Sequence, residues 1–192
     1  MDLQHLVVKL YATPSTAFAP QSLVPVFHRW IQQQALRALL IDVADYTHVM
    51  NGPGMMIIAH EGHFAWDLGE GRPGVQYANK RSATGTPAQR LGSALGQALD
   101  AAALLEAEAS LQPRVSLDTS QWLVRVDDRL ELSPDAEGFT RFRPHAQEAF
   151  ESLYAGPVTV EHLPQQRAGL TLRVRAAAAP VTTLRDRLRA SR

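Results

Sequence analysis

Two spacings of apolar residues divide the chain. "HLVVKLYA" (5–12) is a short strand by its apolar density, and the stretch Pro14 to Pro20 is a loop. In "SLVPVFHRWIQQQ", Leu23, Val26, Phe27, Trp30 and Ile31 fall at i, i+3, i+4, i+7 and i+8, which predicts an amphipathic helix with Ser22 as its cap. "RALLIDVADYTHV" (37–49) is apolar on both alternating sets up to Asp42, the pattern of a central strand covered on both faces. "NGPG" (51–54) then turns the chain, and "MMIIAHEGHFAWDL" (55–68) and "GVQYANKR" (74–81) read as two further strands joined by "GEGRPG".

Thr86 followed by Pro87 starts a second helix, the proline occupying a first-turn position where its missing N–H costs nothing; the helix runs to about Glu108. After Pro113 come "RVSLD" and "QWLVRVDDRLELS", whose alternating arms predict a hairpin around Asp127 and Asp128. Ser133 and Pro134 open a third helix with Phe139, Phe142, Ala146, Ala149, Phe150 and Leu153 on its core face, ended by Gly156 and Pro157. "VTVEHL" and "LTLRVRA" are two more strands, and an arginine-rich helix over about 181–190 closes the chain. The expected fold is α+β: a mixed, mainly antiparallel sheet covered by three main helices and a short terminal one. It is one domain over residues 1–192, with two sub-halves, 1–112 and 113–192, sharing one core as the alternative.

Composition then removes whole classes of chemistry. The chain has no cysteine, which excludes disulfides, thiolate metal sites and cysteine nucleophiles, and the 19 basic and 19 acidic residues cancel. No global field recruits nucleic acid or an anionic membrane. The start, "MDLQHLVVKLYATPS", lacks the basic and apolar regions of a signal peptide, and no run approaches the roughly 20 apolar residues that span a bilayer. The expectation is a cytoplasmic protein with no membrane partner.

With its FHRWIQ helix, LIDVADY-HV strand and GPG turn, the segment over roughly residues 23–80 resembles a family of uncharacterised bacterial proteins. The resemblance implies a bacterial origin and assigns no activity and no site residue.

Candidate chemistry is confined to a few polar residues. His60-Glu61-Gly62-His63 falls one residue short of H-E-x-x-H, and a strand would point His60 and His63 to opposite faces, so the zinc-protease pattern fails on geometry. Glu61 and His63 remain as a weaker metal-ligand pair on a face shared with Asp67. Ile58, His60, Phe64, Trp66 and Leu68 would form the opposite, core face. Asp42, Tyr46 and His48 share strand parity, and a hairpin at residues 51–54 would bring His60 alongside. A carboxylate beside a histidine and a tyrosine is a tunable acid/base set, which makes Asp42, Tyr46, His48 and His60 the catalytic candidates. The bland alternative for them is a buried polar network that fixes strand register.

"GEGRPG" fits G-x-G-x-x-G in letters, but a strand rather than a helix follows it, so it reads as a hairpin loop. Gly92 and Gly96 suit close packing, and His28 lies on the polar side of its helix. The tail "LRDRLRASR" has no interleaved aromatics, which disfavours nucleic-acid binding, and Glu161 is the natural partner of Arg173 and Arg175. No motif names a cofactor. Two functions follow: a non-catalytic cytoplasmic protein, expected as a homodimer, that self-associates or binds a partner or small molecule; or an enzyme or metal protein using the Asp/Tyr/His set.

Overall fold

The computed structural model describes residues 4–80, 84–164 and 168–190. These residues form eight strands: β1 (Leu6–Ala12), β2 (Leu40–Tyr46), β3 (Gly54–Ala59), β4 (Gly62–Asp67), β5 (Gly74–Asn79), β6 (Leu117–Val126), β7 (Thr159–His162) and β8 (Leu170–Arg175). They make one sheet in the order β2-β3-β4-β5-β1-β6-β8-β7. Every ladder in it is antiparallel, so the expected mixed character is absent among the described strands. The α+β class stands.

Four α-helices are formed among the described residues: α1 (Leu23–Gln33), α2 (Pro87–Ala107), α3 (Ala136–Tyr154) and α4 (Val181–Ala190). The terminal helix α4 is a full member of the layer rather than an appendage to three main helices. It buries Val181 and Leu184, its Arg189 donates to Asp100 of α2 at 2.7 Å, and its Arg187 donates to the Tyr154 carbonyl of α3 at 2.7 Å. Local chemistry sets the other boundaries. The Thr86 hydroxyl accepts from the Gln89 N–H while the Gln89 side chain accepts from the Thr86 N–H, a reciprocal capping box at the start of α2. At α3 the cap is Asp135, whose Oδ1 accepts from the N–H groups of Glu137 and Gly138 and from the hydroxyl of Ser133, two residues back. Ser22 makes no side-chain cap bond, since the chain enters α1 through a 3₁₀ turn at Pro20–Ser22.

Alternation gives the sheet two unlike faces. Leu6, Val8 and Leu10 of β1, Phe64 and Trp66 of β4, and Trp122 and Val124 of β6 pack into one continuous cluster with buried residues of all four helices. The complementary row, which ladder partners carry across the sheet through Met56, Ala65, Gln76, Lys9, Leu123 and Arg173, has no member in that cluster. All four helices of the described residues therefore lie on one side, and among those residues the other face of the sheet carries none.

Three sequence expectations change. Residues 55–68 are not one strand but a hairpin, β3 and β4, turning at His60 and Glu61. Neither turn residue takes positive φ, so the Asn-Gly signal of a primed turn is missing for a structural reason. The apolar run at 37–41 does not lead into a central strand, because β2 pairs only with β3 and is the sheet edge. Past Val126 the chain forms no second hairpin arm; Leu132 turns inward while Leu130 is fully exposed.

Candidate functional site

The Asp42, Tyr46, His48 and His60 set does not assemble. The β2–β3 hairpin does form, but its register places Tyr46 opposite Gly54 and Asp42 opposite Ile58, whereas His60 lies beyond Ala59 at the other end of β3. Six residues of strand separate the Gly54 and His60 levels, about 20 Å at roughly 3.3 Å per residue. Asp42 is exposed, and its Oδ1 accepts from the adjacent Val43 N–H at 2.8 Å. The Tyr46 and His48 rings stack with centroids 6.5 Å apart. His60 is exposed at the β3–β4 turn, where its Nδ1 lies 3.3 Å from Glu61 Oε1. It is not the core residue that a single strand over 55–68 would make it, and Ile58 leaves the core face with it. Both shifts follow from the extra turn, which reverses parity between β3 and β4.

Glu61 is likewise exposed, and His63 points to the helix-free face with its Nδ1 buried and without a hydrogen-bond partner among the described residues. Partial burial, assisted by the Lys80 ammonium, holds the His63 pKa below the usual histidine value of 6.5. Among the described residues no group of three His, Asp or Glu side chains is placed to hold a metal ion. Glu161 does take both expected arginines, Arg175 at 2.7 Å and Arg173 at 3.7 Å. The "GEGRPG" segment is a hairpin loop containing a short 3₁₀ turn, Gly69–Gly71, and leads into β5. His28 is exposed on α1.

What the structure does assemble is a charged centre that sequence reasoning missed. Lys9, in the middle of central strand β1, is wholly buried on the helix-free face. Its ammonium donates to the Asp67 carboxylate, to the Gly69 carbonyl at 2.9 Å and to Glu70 Oε2 at 3.1 Å, which uses all three of its protons. Asp67 Oδ2 also accepts from the Gly69 N–H at 3.1 Å. The lysine therefore pins the β4–β5 loop and is no free nucleophile. That loop carries Arg72, whose guanidinium carbon sits 3.8 Å from the Tyr11 ring centroid while its Nη1 donates to Gln121 Oε1 at 3.0 Å. Burial, with Glu70 adding to it, raises the Tyr11 hydroxyl pKa. The available signal was a lone lysine inside "LVVKLYA", one of two lysines in a chain that otherwise uses arginine.

The second unusual surface is the β2 edge. Among the described residues six large hydrophobic side chains are exposed, and five of them fall between residues 39 and 50: Leu39 (59%), Ile41 (54%), Tyr46 (41%), Val49 (43%) and Met50 (89%). They line an edge whose outward backbone groups have no partner strand. A bulge between Leu40 and Asp42 turns Ile41 out of the regular alternation, while Asp42 to Tyr46 pairs with β3 without interruption. No helix among the described residues is long and apolar enough to cross a membrane. The chain was compared with family models and with curated proteins, and neither comparison gives a match.

Proposed function

We propose that this is a non-catalytic, self-associating protein of the bacterial cytoplasm, and that two copies join through β2. The observation carrying this reading is the coincidence of a seven-residue edge strand, open on one side, with five of the six exposed large hydrophobics among the described residues. Natural sheets shield such edges with charged side chains, above all lysine, or with proline, bulges or covering loops. Here the only charged residues within β2 are Asp42 and Asp45. The opposite edge, β7, is four residues long and carries Glu161 and His162, so it offers a much poorer template.

The β2 sequence suits a two-fold axis. An antiparallel pairing centred on Ala44 sets Asp42 of one copy opposite Tyr46 of the other, and Val43 opposite Asp45. No two carboxylates then face each other, and each Asp42 meets a phenol that can donate to it. Val49 and Met50, in the following turn, extend the contact beyond the strand. One isologous interface closes as a dimer and leaves no free β2 edge.

Sedimentation velocity of the full chain tests this. The wild type should sediment as a dimer of the 21.1 kDa chain, and the pair Tyr46→Lys and Met50→Lys, both at exposed positions, should convert it to a folded monomer. A wild-type monomer at about 50 μM, or a dimer indifferent to both lysines, would sink the proposal.

A further inference from the structure

We propose that the cleft at the C-terminal end of β1 binds a small aliphatic α-amino acid, with the ligand carboxylate on Arg72 and its ammonium group on Asp118. The cleft has a volume of about 790 Å³, whereas the other four described clefts have volumes between about 390 and 510 Å³. Its size falls in the range of small-molecule sites, which combine apolar walls with a few convergent polar groups.

The hydroxyl groups in its wall are already used. Thr16 Oγ1 donates to the Ser116 carbonyl at 3.0 Å and accepts from the Ser116 N–H at 2.9 Å. Thr119 Oγ1 does the same with Ala179, at 2.7 and 3.0 Å. Two groups of opposite charge remain. Arg72 rests on the Tyr11 ring and touches Gln121, and has no carboxylate partner among the described residues. Asp118 accepts from the Ser120 N–H and hydroxyl through Oδ1, which leaves Oδ2 unengaged among the described residues.

Their placement is linked through Tyr11. Asp118 is the ladder partner of Tyr11 on β6, just past a register shift between Leu10 and Tyr11, and it lines the cleft together with Arg72. Arg72 covers the ring of that same tyrosine. A cation and an anion therefore share the wall of one cleft, yet no ion pair joins them among the described residues. A plain carboxylate would meet the Asp118 charge, and a plain amine would meet Arg72. A molecule with both groups on one carbon satisfies the two, the carboxylate taking the guanidinium fork and the ammonium taking Oδ2. Pro14, Leu117 and Ala178 offer the apolar wall for its side chain.

Isothermal titration of the full chain with L-leucine, L-methionine and L-valine decides the matter, alongside 4-methylpentanoate and 3-methylbutylamine, which are leucine without its ammonium or its carboxylate. At least one amino acid should bind with Kd near about 1 mM or tighter, and each half-molecule about tenfold or more weakly than leucine. Arg72→Gln should weaken amino-acid binding about tenfold. Asp118→Asn should weaken the amino acid while leaving 4-methylpentanoate unchanged or tighter, a split of signs that a distorted cleft would not give. Should Arg72→Gln lose its fold by circular dichroism, Asp118→Asn carries the test alone. No heat from any of the three amino acids up to about 10 mM, or affinities unaltered in Asp118→Asn, would overturn the assignment. Three strands separate β1 from β2, so this site and the dimer edge stand or fall independently.

Discussion

Buried polar side chains set the chemistry at the residue scale. Lys9→Met keeps the volume of the side chain but removes the counter-charge of Asp67, whose side chain is almost fully buried. Leaving one member of a buried pair alone typically costs about 3 kcal/mol or more, so urea unfolding should register a loss of that order. Adding Asp67→Asn should return much of it, because the charge is gone while the amide oxygen can still accept from the Gly69 N–H. Tyr154 is a second such point. It accepts from the Trp122 indole N–H at 2.8 Å and donates to the Thr119 carbonyl, and burial pushes its pKa up to about 12, as it does for Tyr77. In the unfolded chain both ionise near pH 10, as ordinary tyrosines do. Their contribution to stability is therefore complete below pH 10 and falls between pH 10 and 12, by roughly 1.4 kcal/mol per pH unit for each. Tyr154→Phe should cost about 1–3 kcal/mol at neutral pH by orphaning Trp122 and Thr119, and should make the alkaline decline measured by urea titration shallower. An unchanged alkaline slope would show that Tyr154 is not the titrating group.

Helices and strands differ in how far they were legible. The start of α2 was readable because its cap is local: Thr86, Pro87 and Gln89 need no distant partner. Thr86→Ala should cost about 1 kcal/mol by thermal unfolding, with the fold unchanged; no loss would mean the capping box contributes nothing. The last two strands were readable for the same kind of reason, since Arg173 and Arg175 alternate against a single nearby acid, Glu161. β2 misled because exposure is not a property of a string. Leu39 and Ile41 read as core in sequence, and only the sheet order, which leaves nothing beyond β2, puts them on the outside. The His60–Glu61 turn was hidden because it uses neither glycine nor asparagine, and missing it inverted the assignment of Ile58 and His60. The Lys9 centre was out of reach in a different way: its partner Asp67 lies 58 positions along the chain and meets it only once β4, β5 and β1 are adjacent.

For the whole molecule, the asymmetry of the sheet is what matters. Helices cover one face, a lysine-centred cluster organises the other, and the two edges are unequal: β7 is four residues long, while β2 is seven and is bordered by exposed large hydrophobics. The open edge at β2, bordered by exposed apolar side chains, is the surface on which the proposed dimer rests. The most direct test is hydrogen exchange followed by mass spectrometry at two protein concentrations, because it reports which backbone amides a second copy covers. If two copies join through β2, protection over Asp42–Tyr46 is strong at about 50 μM and falls on dilution to about 0.5 μM, while β7 at Thr159–His162 exchanges alike at both. Exchange over β2 that is fast and independent of concentration, or a concentration effect confined to another surface, would contradict it.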